Sequence, residues 1–594
     1  MKSKNILSLC TLLVVLAAYS CKRDNFLNLT PPTTLATTAY WNTVADLQNY
    51  VNNFYQKDEI FPHYRNFSSL GIYSVDDNSD NMVPQSADNR LNGLLTVSGS
   101  GGYPGYFWKD IYDANYFLAN YGKVSASAAD IAPYLGETYF FRAYLYFMGV
   151  RSYGSLPWIN KPLTTADTAM IYSPRLPRNV IMDHIVSDLD SAIASLPTKS
   201  KAGTQRVYKE YAQGMKARIC LYEGTWEKYH ANDPFGVAGQ NGSKYLQLAA
   251  DAANAVISSG IFQPDNVGVS NGYFNLFNQT NYASSKEIMF WGAYNQQQGI
   301  TTYWQNYYQF GSDGTNSDGL SKSLVDDYLC TDGMPISSSP LYKGDDSLAH
   351  IVANRDPRLR QSVFMKGDTV ISNVPGASPI KYFTYPALLS GTPNTTGFQI
   401  RKGLNTDYFQ DSHNGPGGTD GVIYMRYAEV LLTYAEAKAE LGTLTQSDVD
   451  LTINKLRDRV GMPHLVIASI PNDPKWIFPS LSPIINEVRR ERRVELACEG
   501  YRFDDLMRWA AGATLLVGKQ PLGAQANQFA TVIPGLKIGT NIKVNNAGYI
   551  LPYANISSMA NGYQFNVGRD YLLPISLQEI TVSNGKITQN PGWQ

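Results

Sequence analysis

The densest cluster of side chains suited to ligand binding lies at residues 303–310. Its sequence is Tyr303-Trp304-Gln305-Asn306-Tyr307-Tyr308-Gln309-Phe310. Sugar rings present flat C–H faces that stack on aromatic side chains, and a tyrosine combines such a face with a polar tip. Tyr303, Trp304, Tyr307 and Tyr308 are therefore candidate ligand-binding residues. The competing interpretation of each is a partly buried loop anchor.

A second polar cluster, Asp76-Asp77-Asn78-Ser79-Asp80, lies in a long irregular segment over 57–107. Loops longer than about 15 residues in a compact domain are usually functional or disordered. The carboxylates suggest calcium, but their spacing lacks the full ligand set of an EF-hand loop. No metal site is predicted.

The sequence gives little support for catalysis. None of its six histidines lies in an HExxH pair or beside a nucleophile elbow. A glycoside hydrolase needs only two carboxylates, which are plentiful, so a hydrolase stays open as an alternative. No catalytic residue and no cofactor is predicted.

The basic residues do not point to nucleic acid. The chain has 49 Lys and Arg against 50 Asp and Glu, a net charge of −1. Its strongest basic run is Arg489-Arg490-Glu491-Arg492-Arg493. Glu487, Glu491 and Glu495 are interleaved with the arginines, so we predict ion pairs along a helix.

The N-terminus has the pattern of an exported lipoprotein. Lys2 and Lys4 precede an apolar run from Ile6 to Ala18, which is shorter than the about 20 residues of a transmembrane helix. Ala18-Tyr19-Ser20-Cys21 is similar to a bacterial lipobox, in which the cysteine is acylated. We predict lipidation at Cys21 and attachment to a membrane through lipid. The alternative is an ordinary cleaved signal with an incidental cysteine.

Three cysteines remain beyond Cys10 and Cys21, namely Cys220, Cys330 and Cys498. Three widely spaced cysteines do not make a disulfide framework. Cys220 and Cys498 fall in helical patterns, so we predict that they are small buried residues of helices.

Helical periodicity frames these segments. A helix is predicted from Thr43, with Asp46 completing its N-cap. Further helices are predicted at 108–118, 137–150, 181–196, 212–222, 245–256, 428–439, 447–460 and 484–496. The chain divides into a signal peptide (1–20), a lipidated tether (21–38), an N-terminal helical part (39–260), a loop-rich part with a few strands (261–421) and a C-terminal helical part (422–594).

Several motifs occur together in one order. They are Phe141-Arg142-Ala143, Tyr153-Gly154, Arg426-Tyr427-Ala428-Glu429-Val430-Leu431-Leu432, Tyr434-Ala435-Glu436-Ala437, Glu491-Arg492-Arg493-Val494-Glu495-Leu496-Ala497 and Gln589-Asn590-Pro591-Gly592-Trp593. In this order they resemble the SusD/RagB family of outer-membrane nutrient-binding lipoproteins of Bacteroidetes. The resemblance runs from Cys21 to Trp593.

The resemblance implies a mostly α-helical fold with four tetratricopeptide-like helix pairs and a loop-rich insertion carrying short strands. It implies a lipoprotein of the outer membrane, facing the cell exterior, that captures oligosaccharides without altering them. It also implies a partner, a SusC-like TonB-dependent transporter. No enzyme activity is expected.

The resemblance also extends the candidate ligand site to the loop before Trp108. The additional candidates are Asp76, Asp77, Asn78, Arg90, Tyr103 and Tyr106. Peptide ligands are an alternative, because some relatives suggest them. A flat aromatic arc in the site would favour glycans, and a deep extended cavity would favour peptides.

Overall fold

The computed structural model describes residues 40–63, 71–100, 103, 105–203, 205–265, 268–309, 318–374, 380–411 and 417–593. Cys21, the predicted signal peptide and the predicted tether lie outside the described residues. Of the candidate residue Tyr106, only the backbone is described.

The described residues form twenty α-helices and little strand. In chain order the helices are α1 (Val44–Tyr55), α2 (Gly105–Asn120), α3 (Ala128–Tyr153), α4 (Thr168–Ile171), α5 (Arg178–Ser195), α6 (Lys209–Tyr229), α7 (Ser243–Ser258), α8 (Gly272–Asn275), α9 (Gln305–Gln309), α10 (Lys322–Asp327), α11 (Leu348–Val352), α12 (Pro357–Ser362), α13 (Tyr427–Glu440), α14 (Gln446–Leu451), α15 (Ile453–Val460), α16 (Pro483–Glu495), α17 (Arg502–Arg508), α18 (Gly512–Leu515), α19 (Asn527–Ala530) and α20 (Leu577–Val582).

Six short strands pair antiparallel, two by two. They are β1 (Met82–Val83), β2 (Ile288–Gly292), β3 (Gly319–Leu320), β4 (Thr369–Ile371), β5 (Lys381–Tyr382) and β6 (Val422–Arg426). β1 pairs with β3, β2 with β6, and β4 with β5. The β2–β6 pair joins the start of the loop-rich part to its end, so that this part leaves and rejoins the helices at one place.

The long helices form a stack. Helices α2, α3, α5, α6, α7, α13 and α16 pack in this order, each against the one before. The chain therefore has a mostly α-helical fold with tetratricopeptide-like helix pairs, as the resemblance implied. None of the helices in the described part of the chain combines the length and the hydropathy that a membrane span needs.

Local sequence explains where the helices begin and end. Thr43 and Asp46 form a capping box at the start of α1, as predicted. Gly461 adopts a left-handed conformation (φ 68°) and closes α15. The helix predicted over 447–460 is wrong in one respect. It is two helices, α14 and α15, which meet at Thr452 with a non-helical backbone, and its N-cap is Thr445.

The described residues form three hydrophobic cores. The larger core joins the helices of the stack from Leu47 to Leu506, and it includes Phe140, Phe141 and Tyr146 of α3. The aromatic run of α3 is therefore core, as expected of aromatic residues at helical spacing. The smaller core lies beneath the loop-rich part, and residues such as Trp304 and Leu320 share it with residues of the C-terminal part such as Phe529. A third core, with fewer residues than either, includes Tyr273 and Phe277.

Helix α16 lies in a buried ionic network. The pairs of its arginines are Arg489–Glu440 at 3.1 Å, Arg490–Glu487 at 2.5 Å, Arg492–Asp505 at 3.0 Å and Arg493–Asp80 at 3.0 Å. The ion pairs predicted for this run are confirmed. The prediction that both partners of each pair lie on this helix is wrong for three of the four pairs. Arg489, Arg492 and Arg493 pair with residues outside α16. Buried arginines need such partners, since an unpaired buried charge is costly.

Candidate ligand-binding cleft

A cleft of about 250 Å³ lies where the helical stack meets the loop-rich part; we call it the central cleft. Seven of its 21 lining residues are aromatic, and the lining comes from seven regions of the chain. The lining residues are Ile60, Pro62, Gly71, Ile72, Val75, Tyr144, Phe147, Arg151, Tyr211, Met215, Arg218, Phe277, Trp304, Gly421, Val422, Ile423, Tyr424, Glu499, Gly500, Tyr501 and Asp504.

Helical spacing sets one wall of the central cleft. In α3, Tyr144, Phe147 and Arg151 are three and four residues apart, so they lie on one face of the helix. Tyr211 and Arg218 of α6 repeat this arrangement on the adjoining helix. Both helices are held in the larger core, so this wall is rigid.

A left-handed turn forms another wall, and Asp76 holds it in place. The prediction that Cys498 lies in a helix is wrong. Its φ of 62° places it in a turn after α16. One oxygen of the Asp76 carboxylate accepts the N–H of Cys498 at 2.8 Å and the other accepts the N–H of Gly500 at 3.1 Å. Asp76 is fully buried. It is therefore placed to position Glu499 and Tyr501, which line the cleft.

The charges along the central cleft are paired. Arg218 donates to both oxygens of Glu429, at 2.5 and 2.6 Å, and the hydroxyl of Tyr501 donates to the same carboxylate at 2.8 Å. Arg151 pairs with Asp504 at 3.1 Å near the opening, where its side chain is 38% exposed. The walls thus offer aromatic faces and polar groups with balanced charge.

Glu499, a carboxylate that lines the cleft, is poorly suited to general acid catalysis. Burial raises the pKa of Glu499, but the charges of Arg426 and Lys402 outweigh it and lower that pKa below its ordinary value. A glycosidase acid needs the opposite, a carboxyl group whose pKa is raised so that it is protonated when substrate binds. The described residues also contain no group of three or more His, Cys, Asp or Glu arranged to hold a metal ion.

The cluster predicted at 303–310 includes helix α9, and its described residues divide between surface and core; Phe310 lies outside the described residues. Trp304 lines the central cleft but is only 2% exposed, and its ring lies 6.0 Å from that of Tyr308. Tyr308 is fully buried and donates to the carbonyl of Lys402. Tyr303 and Tyr307 are half-buried. The contacts of Tyr308 are those of an anchor, whereas Tyr303 and Tyr307 keep exposed edges.

The other predicted residues lie in two places. Asp77 and Asn78 are half-buried. Burial, and then the charge of Asp318, raise the pKa of both Asp77 and Tyr307. Neither Asp77 nor Tyr307 lines the central cleft.

Arg90 and Tyr103 lie apart from this group. Arg90 is 8% exposed, donates to the carbonyl of Asp570 and lies 4.9 Å from the ring centre of Phe503. Tyr103 is 5% exposed and its ring lies 4.9 Å from that of Tyr153. Both join the loop before α2 to the rest of the fold.

Sequence reasoning missed most residues of the central cleft. The missed residues lie in helices, a strand and a turn whose aromatic residues have the pattern of a hydrophobic core. They are Tyr144, Phe147, Tyr211, Tyr424 and Tyr501. One signal was available. Arg151 and Arg218 each follow aromatic residues on the same helix face, and a charge at the end of an aromatic face marks the place where that face reaches solvent.

Two family models match the chain. The model described as "SusD family" matches residues 274–593, and the model described as "Starch-binding associating with outer membrane" matches residues 25–221. The chain belongs to the SusD/RagB family. The first match covers the loop-rich part from α8 and the whole C-terminal helical part.

Relatives of this SusD family member match it over most of their length. "SusD-like protein P2" of Formosa agariphila is 24% identical over 572 residues, which are 94% of this chain and 94% of the relative. A solved structure of a SusD-like carbohydrate-binding protein from Bacteroides fragilis superposes with a TM-score of 0.63 at 21% identity, covering 92% of this chain and 99% of the other. A solved laminarin-binding SusD-like protein superposes with a TM-score of 0.52 at 18% identity, covering 93% and 100%. At these identities the structural likeness establishes the fold.

Proposed function

We propose that this chain is a cell-surface glycan-binding lipoprotein that captures oligosaccharides and passes them to a SusC-like TonB-dependent transporter of the outer membrane. Membership of the SusD/RagB family supports this role. Solved family members include a SusD-like carbohydrate-binding protein and a laminarin-binding SusD-like protein, and one matching family model describes starch-binding proteins that associate with the outer membrane.

The observation that carries the proposal is the aromatic lining of the central cleft. A neutral sugar offers C–H faces to aromatic rings and hydroxyls to polar groups. Because the charges of the cleft are already paired, they can accept and donate hydrogen bonds without demanding a charged ligand. The lowered pKa of Glu499 makes this carboxyl group a poor proton donor for glycosidic bond cleavage. Binding without chemistry is therefore the proposed role.

Peptide ligands are the second candidate for the same receptor role. A peptide bound in extended form spans about 3.3 Å for each residue and needs a long cavity with unpaired backbone groups along it. The central cleft is compact, at about 250 Å³, and its walls are side chains. This shape favours a few sugar units.

A substitution in the central cleft tests the proposal. Tyr424 is half-buried, lines the cleft and has its ring 4.9 Å from that of Phe61. We expect Tyr424→Ala to weaken oligosaccharide binding about tenfold, because loss of an aromatic stacking partner costs about 0.5–1.5 kcal/mol. Isothermal titration against a panel of neutral oligosaccharides and of peptides measures the effect.

The matched control is Tyr112→Ala, since Tyr112 is 41% exposed and lies outside the cleft. Its affinity is expected to equal that of the wild type. Binding of peptides alone would remove the glycan part of the proposal. Equal loss of affinity in both variants would remove the central cleft as the site.

A further inference from the structure

A second recess, of about 430 Å³, is lined in part by Phe274 and Asn275 of helix α8; we call it the Arg401 recess. Its lining is polar and includes two arginines. The lining residues are Asn271, Phe274, Asn275, Arg360, Gly367, Asp368, Thr369, Arg401 and Thr406. None of the predicted ligand residues belongs to it.

Arg401 is held in place by stacking and by its backbone. Its guanidinium lies 3.9 Å from the ring centre of Phe274, and its backbone N–H donates to the carbonyl of Ser362 at 2.8 Å. The buried Nε atom makes no hydrogen bond with the residues that the structure describes, and an oxygen of Asp368 lies 3.5 Å from it. A guanidinium that is fixed by stacking and only loosely paired is prepared to bind an anion.

The charges of the recess do not balance. Asp368 accepts from Arg360 through both oxygens, at 3.0 and 2.6 Å. Arg401 approaches the same carboxylate only at 3.5 Å. Two cations therefore share one anion, and one positive charge is left in a site where the Arg401 side chain is only 12% exposed. Burial lowers the pKa of Arg401, and the negative charge of an anionic ligand would offset that shift by stabilising the guanidinium ion.

The rim of the recess suits a sugar. Thr369 lines the recess and is paired in the β4–β5 ladder with Tyr382. Residues directly opposite in an antiparallel pair have their side chains on the same face, so Tyr382 stands beside the recess. Its ring is 53% exposed and is available for stacking. The amides of Asn271 and Asn275 are exposed at the other edge.

We propose that the Arg401 recess binds an acidic sugar unit of the captured oligosaccharide, with its carboxylate or sulfate group on Arg401 and its ring against Tyr382. This inference rests on the proposed function and narrows the ligand class to acidic glycans. The central cleft would then hold neutral sugar units, and the recess would select chains that carry an acidic group.

The test compares acidic and neutral probes on the full mature chain. The probes are trigalacturonate, a sulfated carrageenan tetrasaccharide and maltotriose, each titrated calorimetrically at low and at high salt. The carboxylate and sulfate probes separate the two sources of the anionic group. We expect Arg401→Gln to weaken binding of at least one acidic probe about tenfold or more and to leave maltotriose binding unchanged, because a charge-assisted bidentate contact is lost. Salt is expected to weaken acidic binding to the wild type.

Asp368→Asn tests the direction in which acidic-ligand affinity changes. It removes the carboxylate that competes with the ligand for Arg401, so we expect it to tighten acidic binding several-fold. A merely structural role of this pair would give the opposite result. The amide oxygen can still accept the N–H of Met365, which Asp368 accepts at 2.7 Å.

Arg569→Gln is the matched control for Arg401→Gln. Arg569 also pairs with an aspartate, Asp570, and its guanidinium lies 4.1 Å from the ring centre of Trp593. Its replacement removes the same charge from the chain and should leave acidic binding unchanged. Arg401→Lys keeps the positive charge and serves as a control for misfolding. It is expected to retain part of the affinity for acidic probes.

The inference fails if the wild type binds maltotriose but neither acidic probe, or if Arg401→Gln binds acidic probes as the wild type does. It also fails if Asp368→Asn weakens acidic binding. The proposed function would survive each of these results. Absence of binding to every glycan, acidic or neutral, would overturn the proposed function as well.

Discussion

Asp77 lies beside two other carboxyl groups, those of Asp76 and Asp318. Burial, followed by the charges of Asp318 and Asp76, raises the pKa of Asp77 to about 9. At neutral pH the group is therefore protonated and shares a hydrogen bond with Asp318. Hydrogen-bonded carboxyl groups lie closer together than the about 5 Å or more that separates the two carboxylates of a glycosidase. This pair thus does not have the geometry of that class of enzyme.

Replacing Asp77 should change how stability depends on pH. Its pKa is higher in the folded chain than its ordinary value of 3.8, so the folded state holds a proton that the unfolded state releases. Stability therefore falls as pH rises from about 4 to about 9. Asp77→Asn removes this titration, so its stability relative to the wild type should be greater at pH 8 than at pH 5, by at least about 1 kcal/mol. Urea unfolding at the two pH values measures the difference.

The control for this prediction is Asp251→Asn, because Asp251 is an exposed residue of α7. Its unfolding free energy should differ from that of the wild type by a similar small amount at both pH values. A stability change in Asp77→Asn that is the same at pH 5 and pH 8 would contradict the prediction.

Residue types alone could not separate ligand contacts from anchors. Asp76 and Asp77 are neighbours with the same side chain. Asp76 is fully buried and accepts hydrogen bonds from backbone N–H groups, whereas Asp77 is half-buried beside Asp318. Tyr307 and Tyr308 are likewise neighbours in α9, yet Tyr307 is half-buried and Tyr308 is fully buried. These differences depend on residues distant in the sequence, such as Cys498 for Asp76 and Lys402 for Tyr308, which local sequence does not indicate.

At the scale of elements, Arg426 links β6 to helix α16 and to the turn that follows it. Its guanidinium contacts Glu287 at 2.8 Å, Glu495 at 2.6 Å and Glu499 at 2.6 Å, and it is fully buried. Glu499 lines the central cleft, so the same cation stabilises the fold and one wall of the candidate site.

Arg426→Ala should destabilise the chain severely. It leaves buried carboxylates with less compensation, and breaking a buried ion pair from one side costs about 3–5 kcal/mol. The matched control is Lys109→Ala, whose partner is Asp113 at 2.6 Å and whose side chain is 66% exposed. That surface pair should contribute no more than about 1 kcal/mol. Urea unfolding compares the two variants, and equal effects would contradict the distinction between buried and exposed pairs.

The elements that were predicted well from the sequence are those whose periodicity and end caps lie within their own residues. The long helices have apolar periodicity, and their ends have local caps such as Thr43 with Asp46 and the left-handed Gly461. The short helices α8 to α12 were missed, because four to six residues are too few to show a period. They are stabilised by the smaller core, and therefore by contacts that form only in the folded chain.

At the scale of the molecule, the central cleft brings together residues between Ile60 and Asp504. The family resemblance predicted the fold correctly, because motifs for packing recur along the whole chain. It did not specify the cleft, because the family motifs reflect packing, and the arginines that follow aromatic residues in α3 and α6 were the local signal of an opening. The cleft and the Arg401 recess both border the loop-rich part, so ligand specificity is expected to depend on this part more than on the helical stack.

The attachment of the whole molecule to its membrane depends, in our prediction, on Cys21. None of the described helices is suited to span a membrane, and an acyl chain contributes about 0.8 kcal/mol for each buried CH₂ group. Cys21→Ala should abolish incorporation of labelled palmitate and move the protein from the membrane fraction to the soluble fraction. Cys10→Ala is the matched control, because Cys10 lies in the predicted signal peptide and should leave both results unchanged. Membrane-bound, labelled Cys21→Ala protein would show that the anchor lies elsewhere.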